Sequence, residues 1–121
     1  MSHRRHHTII VTVPSDDVIT DIRDNAIKIF GEYRVSAIYR GANFYKTVFI
    51  VPDGLSETQE ASAEQDKNRT TFIQLLQTMS VLDSRIDYVE VMFGDENSPA
   101  AIVNQSNDYL CNDKSTPFGV Y

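Results

Sequence analysis

The chain of 121 residues has one cysteine, no tryptophan and few cationic side chains. Cys111 alone cannot form an internal disulfide. Lys and Arg number 11 against 17 Asp and Glu, so the formal charge is −6. A protein that binds nucleic acid mainly through its phosphates needs clustered cations, so this balance argues against a general polyphosphate binder. No apolar run approaches the roughly 20 residues of a membrane-spanning helix, which favours a soluble protein of the cytoplasm.

The order of the apolar segments is the most informative feature that is present. Within about the first 95 residues these segments predict strand, helix, strand, strand, helix and strand. This is the order of the ferredoxin-like β-α-β-β-α-β plan, an α+β fold whose antiparallel sheet carries two helices on one face. The length and an apolar content of 41% suit one core. We therefore expect a single domain over residues 1–104 and a polar C-terminal tail over residues 105–121.

The first half of the chain gives the clearest element boundaries. The run HTIIVTV, from His7 to Val13, predicts a strand buried on both faces. Ser15 is placed as the N-cap of a helix that continues to Phe30 and stops at Gly31. Two further strands are predicted at 35–40 and 44–51, joined by a short loop at 41–43.

The second half is less regular. A second helix has helical apolar spacing only from Phe72 onward, and its start is open between capping boxes at Ser56 and Ser62. Residues 57–69 are polar on all sides, which predicts a solvated extension or a loop. The remaining predicted elements are a strand at 88–93 and a fifth strand, at the sheet edge, at 100–103.

Histidine is scarce, which limits acid–base chemistry. His3, His6 and His7 are the three histidines, and no carboxylate lies near them in sequence. A metal site needs several ligands held by a scaffold, so we interpret these residues as part of a flexible polar terminus. We predict no catalytic residue, no metal site and no cofactor from them.

Three loop carboxylates give an alternative chemistry. Asp53 follows the third predicted strand, and Asp95 and Glu96 follow the fourth. These two strands are parallel to each other in the predicted sheet, so Asp53 and Asp95 are expected at the same end of it. Paired acids can bind divalent cations, but ordinary turn roles in Pro-Asp-Gly and Gly-Asp-Glu sequences also explain these residues.

The sheet face that the helices leave uncovered is the strongest candidate for a binding site. Such a face would be a larger apolar surface than monomers usually expose. Strand alternation places Ile10 and Thr12 on it, together with Thr47 if Val48 and Ile50 point to the core. The alternative is that the C-terminal tail folds back over this face. The predicted partner-binding residues are Ile38, Arg40, Tyr45, Phe49, Tyr88, Glu90 and Met92.

Three segments, HHTIIV, VFIVPDG and YVEVMFGDE, resemble those of small proteins encoded by bacteriophages and their bacterial hosts. The resemblance covers about the first 95 residues and is carried by strand ends. It implies a small phage accessory protein made in the host cytoplasm. It brings no active-site residue with it.

The sequence therefore favours an interaction protein over an enzyme. The expected partner is a host or phage protein, or a second copy in a homodimer, bound through the uncovered sheet face or through an acidic helix surface. Two other classes stay open. One is a small metal-dependent hydrolase or nuclease that uses Asp53, Asp95 and Glu96. The other is a module that binds single-stranded nucleic acid by stacking bases on the sheet aromatics, which the acidic charge disfavours.

Overall fold

A computed structural model describes residues 5–54, 60–82 and 85–106 of the chain. The strands are β1 (His6–Val13), β2 (Tyr39–Arg40), β3 (Lys46–Ile50), β4 (Asp87–Phe93) and β5 (Ala101–Gln105), and the helices are α1 (Asp16–Phe30) and α2 (Glu60–Leu82). Two single 3₁₀ turns lie at Glu32–Arg34 and Ala42–Phe44. The predicted tail beyond residue 106 lies outside the described residues.

The fold is α+β, with an open antiparallel sheet and two helices. The sheet has the order β2-β3-β1-β4-β5, and every neighbouring pair in it is antiparallel. The longest strand, β1, lies at the centre. Its continuous β-branched run predicted burial on both faces, but only the side with Ile9, Val11 and Val13 is buried, and Ile10 on the other side is 37% exposed.

Helix α1 begins and ends where the sequence predicts. The Ser15 hydroxyl accepts a hydrogen bond from the backbone N–H of Val18 at 3.2 Å. Gly31 ends the helix with φ of 88°, and its N–H donates to the Ile27 carbonyl at 2.8 Å. A residue with a side chain would be strained at this φ, so the position favours glycine.

Strand β2 is shorter than predicted. Residues 35 and 36 contact β3, but only Tyr39 and Arg40 form a ladder with it. The Ser36 hydroxyl accepts a hydrogen bond from the backbone N–H of Phe49 at 2.9 Å, a bond that a regular ladder would give to a main-chain carbonyl. This competition by a serine side chain interrupts the strand.

Helix α2 includes much of the segment that the polar composition predicted to be an extension or loop. Residues 60–69 are helical, and Ser62 lies inside the helix, so it is not the cap. Ser56, the other candidate cap, lies outside the described residues. Arg69 is buried, with 8% of its surface exposed. The front half of α2 is therefore held by polar contacts, which the spacing of apolar residues does not predict.

The core lies between the helices and one face of the sheet. Strand residues Ile9, Val11 and Val48 are fully buried there, as are Ile22 of α1 and Leu76 of α2. The only buried lysine in the described ranges, Lys46, is also on this side. Its Nζ atom reaches the Pro14 carbonyl at 2.7 Å, so its charge is not left without a partner.

The predicted edge strand is confirmed and is longer than expected. Strand β5 pairs with β4, and the register shifts between Glu90 and Val91 because Val103 is an extra residue, a β-bulge.

No helix within the described ranges is long and apolar enough to cross a membrane.

Candidate functional site

The strand registers define the sheet face opposite the helices, which we call the open face. Residues that are paired across strands share a face, so Ile10, Phe49 and Val89 lie side by side on it. Val91 and Ile102 form a second apolar pair. The open-face positions are His6, Thr8, Ile10, Thr12, Tyr39, Thr47, Phe49, Asp87, Val89, Val91, Phe93, Ile102 and Gln105.

Several large apolar side chains on the open face reach solvent. The exposed fractions are 37% for Ile10, 56% for Tyr39, 38% for Phe93 and 59% for Ile102. Tyr39 stacks on Phe49, with ring centroids 5.9 Å apart and planes 9° from parallel. Stacking fixes the ring of Tyr39 on this surface although the side chain is more than half exposed. The face is thus largely apolar, and several of its large side chains are partly exposed.

Fixed charge is nearly absent from the open face. Among its strand positions only Asp87 carries one, and none is a lysine or arginine. A shallow depression beside Asp87 is lined by Ile10, Thr12, Tyr88, Val89 and Ser106. The face therefore suits an apolar protein surface better than a phosphate backbone.

The structure confirms part of the predicted open face. Ile10 and Thr12 of β1 lie on it, and so do Thr47 and Phe49 of β3. The hydroxyls of Thr12 and Thr47 are hydrogen-bonded at 2.8 Å, which ties the two strands together on this side.

The placement of Tyr88, Glu90 and Met92 on the open face is wrong. Glu90 is paired with the core residue Ile9, so all three β4 residues face the helices. Only 7% of Tyr88 and 4% of Glu90 is exposed. The alternation in β4 was predicted correctly and its phase was inverted.

Two of the other predicted contacts also lie elsewhere. Ile38 packs against the hydrophobic core. Arg40 is paired with the buried Lys46, and its guanidinium contacts Asp16 of α1 at 2.9 Å, so it lies on the helix side. Tyr45 comes just before β3 and is 40% exposed.

Beneath the helices, Glu90 is the centre of a charged cluster that the sequence did not suggest. Its Oε2 atom lies 2.8 Å from Nδ1 of His7, and its Oε1 accepts a hydrogen bond from the Asn104 amide at 2.8 Å. The guanidinium of Arg69 is 3.4 Å from the same carboxylate. These contacts join β1, β4, β5 and α2.

Arg69 extends the cluster to the end of β3. Its Nη1 atom is 3.4 Å from Asp53, and its Nη2 donates to Asp66 one helical turn earlier. The Arg69 side chain is 9% exposed and that of Asp53 is 13% exposed. A buried guanidinium with three carboxylate partners holds the front half of α2 on the sheet.

Electrostatics in the cluster keep Glu90 ionised. Burial raises the pKa of Glu90, but hydrogen bonds from His7 and Asn104 and the charge of Arg69 outweigh burial and lower that pKa. An ionised carboxylate only accepts hydrogen bonds, so Nδ1 of His7 is the donor. When the ring is uncharged, its lone pair is then on Nε2, the arrangement found where a carboxylate orients a histidine.

Asp53 and Asp95 lie at the same end of the sheet, as predicted, because β3 and β4 are both antiparallel to β1. Each contacts its own arginine: Asp53 contacts Arg69, and Asp95 contacts Arg5 at 3.0 Å. Glu96 is exposed in the turn after β4. No group of three or more His, Cys, Asp and Glu side chains within the described ranges is placed to hold a metal ion.

The histidines behave differently from the flexible terminus that was predicted. His6 and His7 both belong to β1 and point to opposite faces of the sheet. His6 lies against the Phe93 ring at 5.3 Å, whereas His7 joins the charged cluster. His3 lies outside the described residues. The sequence offered one signal for the cluster, which was His7 at the start of an apolar strand. Its partner Glu90 is 83 positions away, so the pairing itself could not be predicted.

Neither the known protein families nor the curated proteins include a match to this chain. The resemblance to bacteriophage proteins stays a prediction.

Proposed function

We propose that this chain is a non-enzymatic protein-interaction module that acts as a homodimer, with the open face as its interface. The observation that carries the proposal is the contrast between this face and the rest of the surface. In a chain with 23% charged residues, seven of the thirteen open-face strand positions are apolar and a single one, Asp87, carries a fixed charge. Exposed apolar patches of this kind mark interaction sites in soluble proteins.

A second copy is the occupant that the chemistry of the face favours. The chain carries a formal charge of −6, so two copies repel each other except where charge is absent. The open face is that place. A two-fold interface presents the same patch on both copies, which requires a surface that complements itself. Aromatic and β-branched side chains such as Phe49, Tyr39 and Val91 form such interfaces by simple stacking of two sheets.

We propose in addition that the fold is a ferredoxin-like plan extended by one strand. The order β2-β3-β1-β4 with antiparallel neighbours supports a ferredoxin-like plan to which β5 is added beside β4. In that plan both helices lie on one side, and the other side is available for association.

Sedimentation velocity tests the proposal with a pair of matched variants. Ile102→Asp places a carboxylate on the open face at an exposed edge strand, and Val81→Asp places one on α2 at a residue that is 84% exposed. Both variants add the same charge. The mass obtained from sedimentation should be twice the 13.7 kDa of one chain for the wild type and for Val81→Asp. For Ile102→Asp it should be the mass of one chain.

A second substitution, Ile10→Asp, repeats the test at the centre of the face. Circular dichroism establishes that each variant is folded before its mass is compared. A wild type that stays monomeric at about 100 μM, far above the Kd of a stable interface, contradicts the proposal. So does a dimer that both open-face variants leave intact. A shift of labelled single-stranded DNA by the wild type that Ile10→Asp abolishes assigns the face to nucleic acid instead.

A further inference from the structure

We infer that residues 60–69 of α2 form a latch that opens as one unit, while the rest of the helix stays packed on the core. Arg69 holds the latch closed through its contacts with Asp53 and Glu90. Opening separates both carboxylates from the guanidinium and brings them into water. The latch lies on the helix side of the sheet, opposite the open face, so its opening is independent of the proposed homodimer.

The two parts of α2 are anchored by different kinds of contact. In the later part, the side chains of Phe72, Ile73 and Leu76 are buried in the core. Among the described side chains of the latch, at 63–69, no apolar one is buried, and Arg69 is the only buried residue. Because a helix in a protein is stabilised mainly by packing of its apolar face, the latch lacks the main source of stability that the later part has.

The latch contacts the rest of the fold through polar groups. The Arg69 guanidinium lies 3.4 Å from Asp53 and 3.4 Å from Glu90, and Gln65 accepts a hydrogen bond from Arg34. Moving a guanidinium and two carboxylates from water to buried positions costs free energy, which offsets much of their attraction. The free energy that keeps the latch closed is therefore smaller than the free energy of global unfolding.

The partners of the latch are also held by contacts that do not involve α2. Glu90 has hydrogen bonds with His7 and Asn104, both at 2.8 Å. Arg34 donates to the Val51 carbonyl at 3.0 Å. These contacts remain when the latch opens, so the sheet does not have to unfold with it.

Thr70 and Thr71 form the hinge between the latch and the packed part of α2. Both are exposed, and their hydroxyls donate to the main-chain carbonyls of Asp66 and Lys67 at 3.0 Å. Such bonds to the previous turn favour bending of a helix, and β-branched residues lower its propensity to form. The helix is therefore least stable just before the buried Phe72.

Native-state hydrogen exchange, followed amide by amide by NMR at low urea concentrations, tests the latch. The backbone N–H groups of residues 64–69, the latch amides, donate within the latch, and those of residues 73–79, the core amides, report on the packed part of α2. The latch amides should share one opening free energy that depends little on urea. Their protection factors should be about tenfold or more below those of the core amides, which exchange only through global unfolding.

Three variants identify what holds the latch closed. Arg69→Met removes the guanidinium, so it should lower the protection of residue 64 as much as that of residue 68, by about tenfold or more. Lys67→Met makes the same change at an exposed residue of the latch and should alter protection by less than about twofold. Ile73→Val weakens only the core, so it should lower the protection of the core amides by about fivefold and leave the latch amides unchanged.

Simple fraying of the helix end gives a different result. Protection then rises residue by residue along the latch, and Arg69→Met leaves residue 64 unchanged, which overturns the inference. Latch amides as well protected as the core amides overturn it too, and so do equal effects of Arg69→Met and Lys67→Met. Where circular dichroism shows that Arg69→Met does not fold, Asp53→Asn removes one partner of Arg69 instead, and the same pattern is expected.

Discussion

The Nδ1 atom of His7 donates a hydrogen bond to Oε2 of Glu90 at 2.8 Å, across the β1–β4 pair. His7 is the first residue of the predicted β1 strand, and Glu90 is a buried carboxylate on the helix side of the sheet, in contact with Arg69 of α2. Their contact is the centre of the charged cluster. It explains how a charged residue occupies the core side of β4, because an ionised group is stable there only when its hydrogen-bonding capacity is met.

Replacing Glu90 with glutamine should lower stability and alter its dependence on pH. The amide cannot accept from His7, Asn104 and Arg69 together, and breaking a buried ionic network costs about 3 kcal/mol. The pKa of Glu90 is lowered in the folded protein, so the folded state binds fewer protons than the unfolded state in acid. The stabilisation is complete above the unfolded pKa of about 4.3 and is lost as pH falls through the folded pKa.

Urea unfolding between pH 3 and pH 7 measures this effect, with every sample at one protein concentration. The difference in unfolding free energy between the wild type and Glu90→Gln should be large at pH 7 and shrink toward pH 3. Glu96→Gln, at an exposed turn residue, should differ little from the wild type at any pH. A constant difference for Glu90→Gln across this range is inconsistent with an ionised Glu90 in the folded protein.

When its ring is uncharged, His7 should be in the Nδ1–H tautomer. Most neutral histidines are free to place the proton on either nitrogen, but the Glu90 carboxylate only accepts, so it fixes the proton on Nδ1. Long-range ¹H–¹⁵N correlation spectra distinguish the two nitrogens. Glu90→Gln removes the fixed acceptor and serves as the control. Detection of an Nε2–H signal from neutral His7 in the wild type would contradict the assignment.

Local signals allowed α1 to be predicted from the sequence, whereas β4 needed information from distant residues. Ser15 and Gly31 act within one turn of the helix they bound, so their effects are readable in order along the chain. Val89, Val91 and Phe93 make one side of β4 more apolar than the side with Glu90, so the pattern indicates the wrong core face. Glu90 is buried because of partners such as Asn104 and Arg69, whose proximity to it exists only after the chain has folded.

The polar front of α2 and part of the candidate site also depend on contacts between residues that are distant in sequence. Arg69 looks like a surface residue in sequence, and its burial depends on Asp53 from another segment. Ile10 and Phe49 were assigned to the open face correctly, because a central strand and its neighbour alternate without interruption. Arg40 was assigned to the wrong face, because the ladder between β2 and β3 begins only at Tyr39 and no pattern in the sequence sets the register of β2.

Two leucines of α2 provide a direct test of where this helix packs. Leu76 is fully buried, and Leu82, six residues later, is 90% exposed. Leu76→Ala should lower the free energy of unfolding by about 3 kcal/mol, because it removes buried surface and leaves a cavity. Leu82→Ala should change it by less than about 0.5 kcal/mol. Equal effects in urea titrations would mean that α2 packs on the sheet through a different face.

Gly94 and Gly31 separate the effect of backbone conformation from that of close contact. Both have positive φ, 90° and 88°, where a Cβ atom is disfavoured, so alanine at either position is strained by about 1–3 kcal/mol. A Cβ atom at Gly94 would also lie 2.7 Å from Cδ2 of His6, whereas one at Gly31 would have no neighbour within 4 Å. Gly94→Ala should therefore be the more destabilising substitution, by about 1 kcal/mol.

A double-mutant cycle assigns the extra cost to His6. In a His6→Ala background the ring is absent, so Gly94→Ala should then cost no more than Gly31→Ala does, with all free energies of unfolding taken from urea titrations at one pH. The cycle compares differences, so the loss of the His6 contact with Phe93 in both arms cancels. An unchanged cost of Gly94→Ala in that background would mean that the ring of His6 moves aside freely, and that backbone strain alone selects glycine after β4.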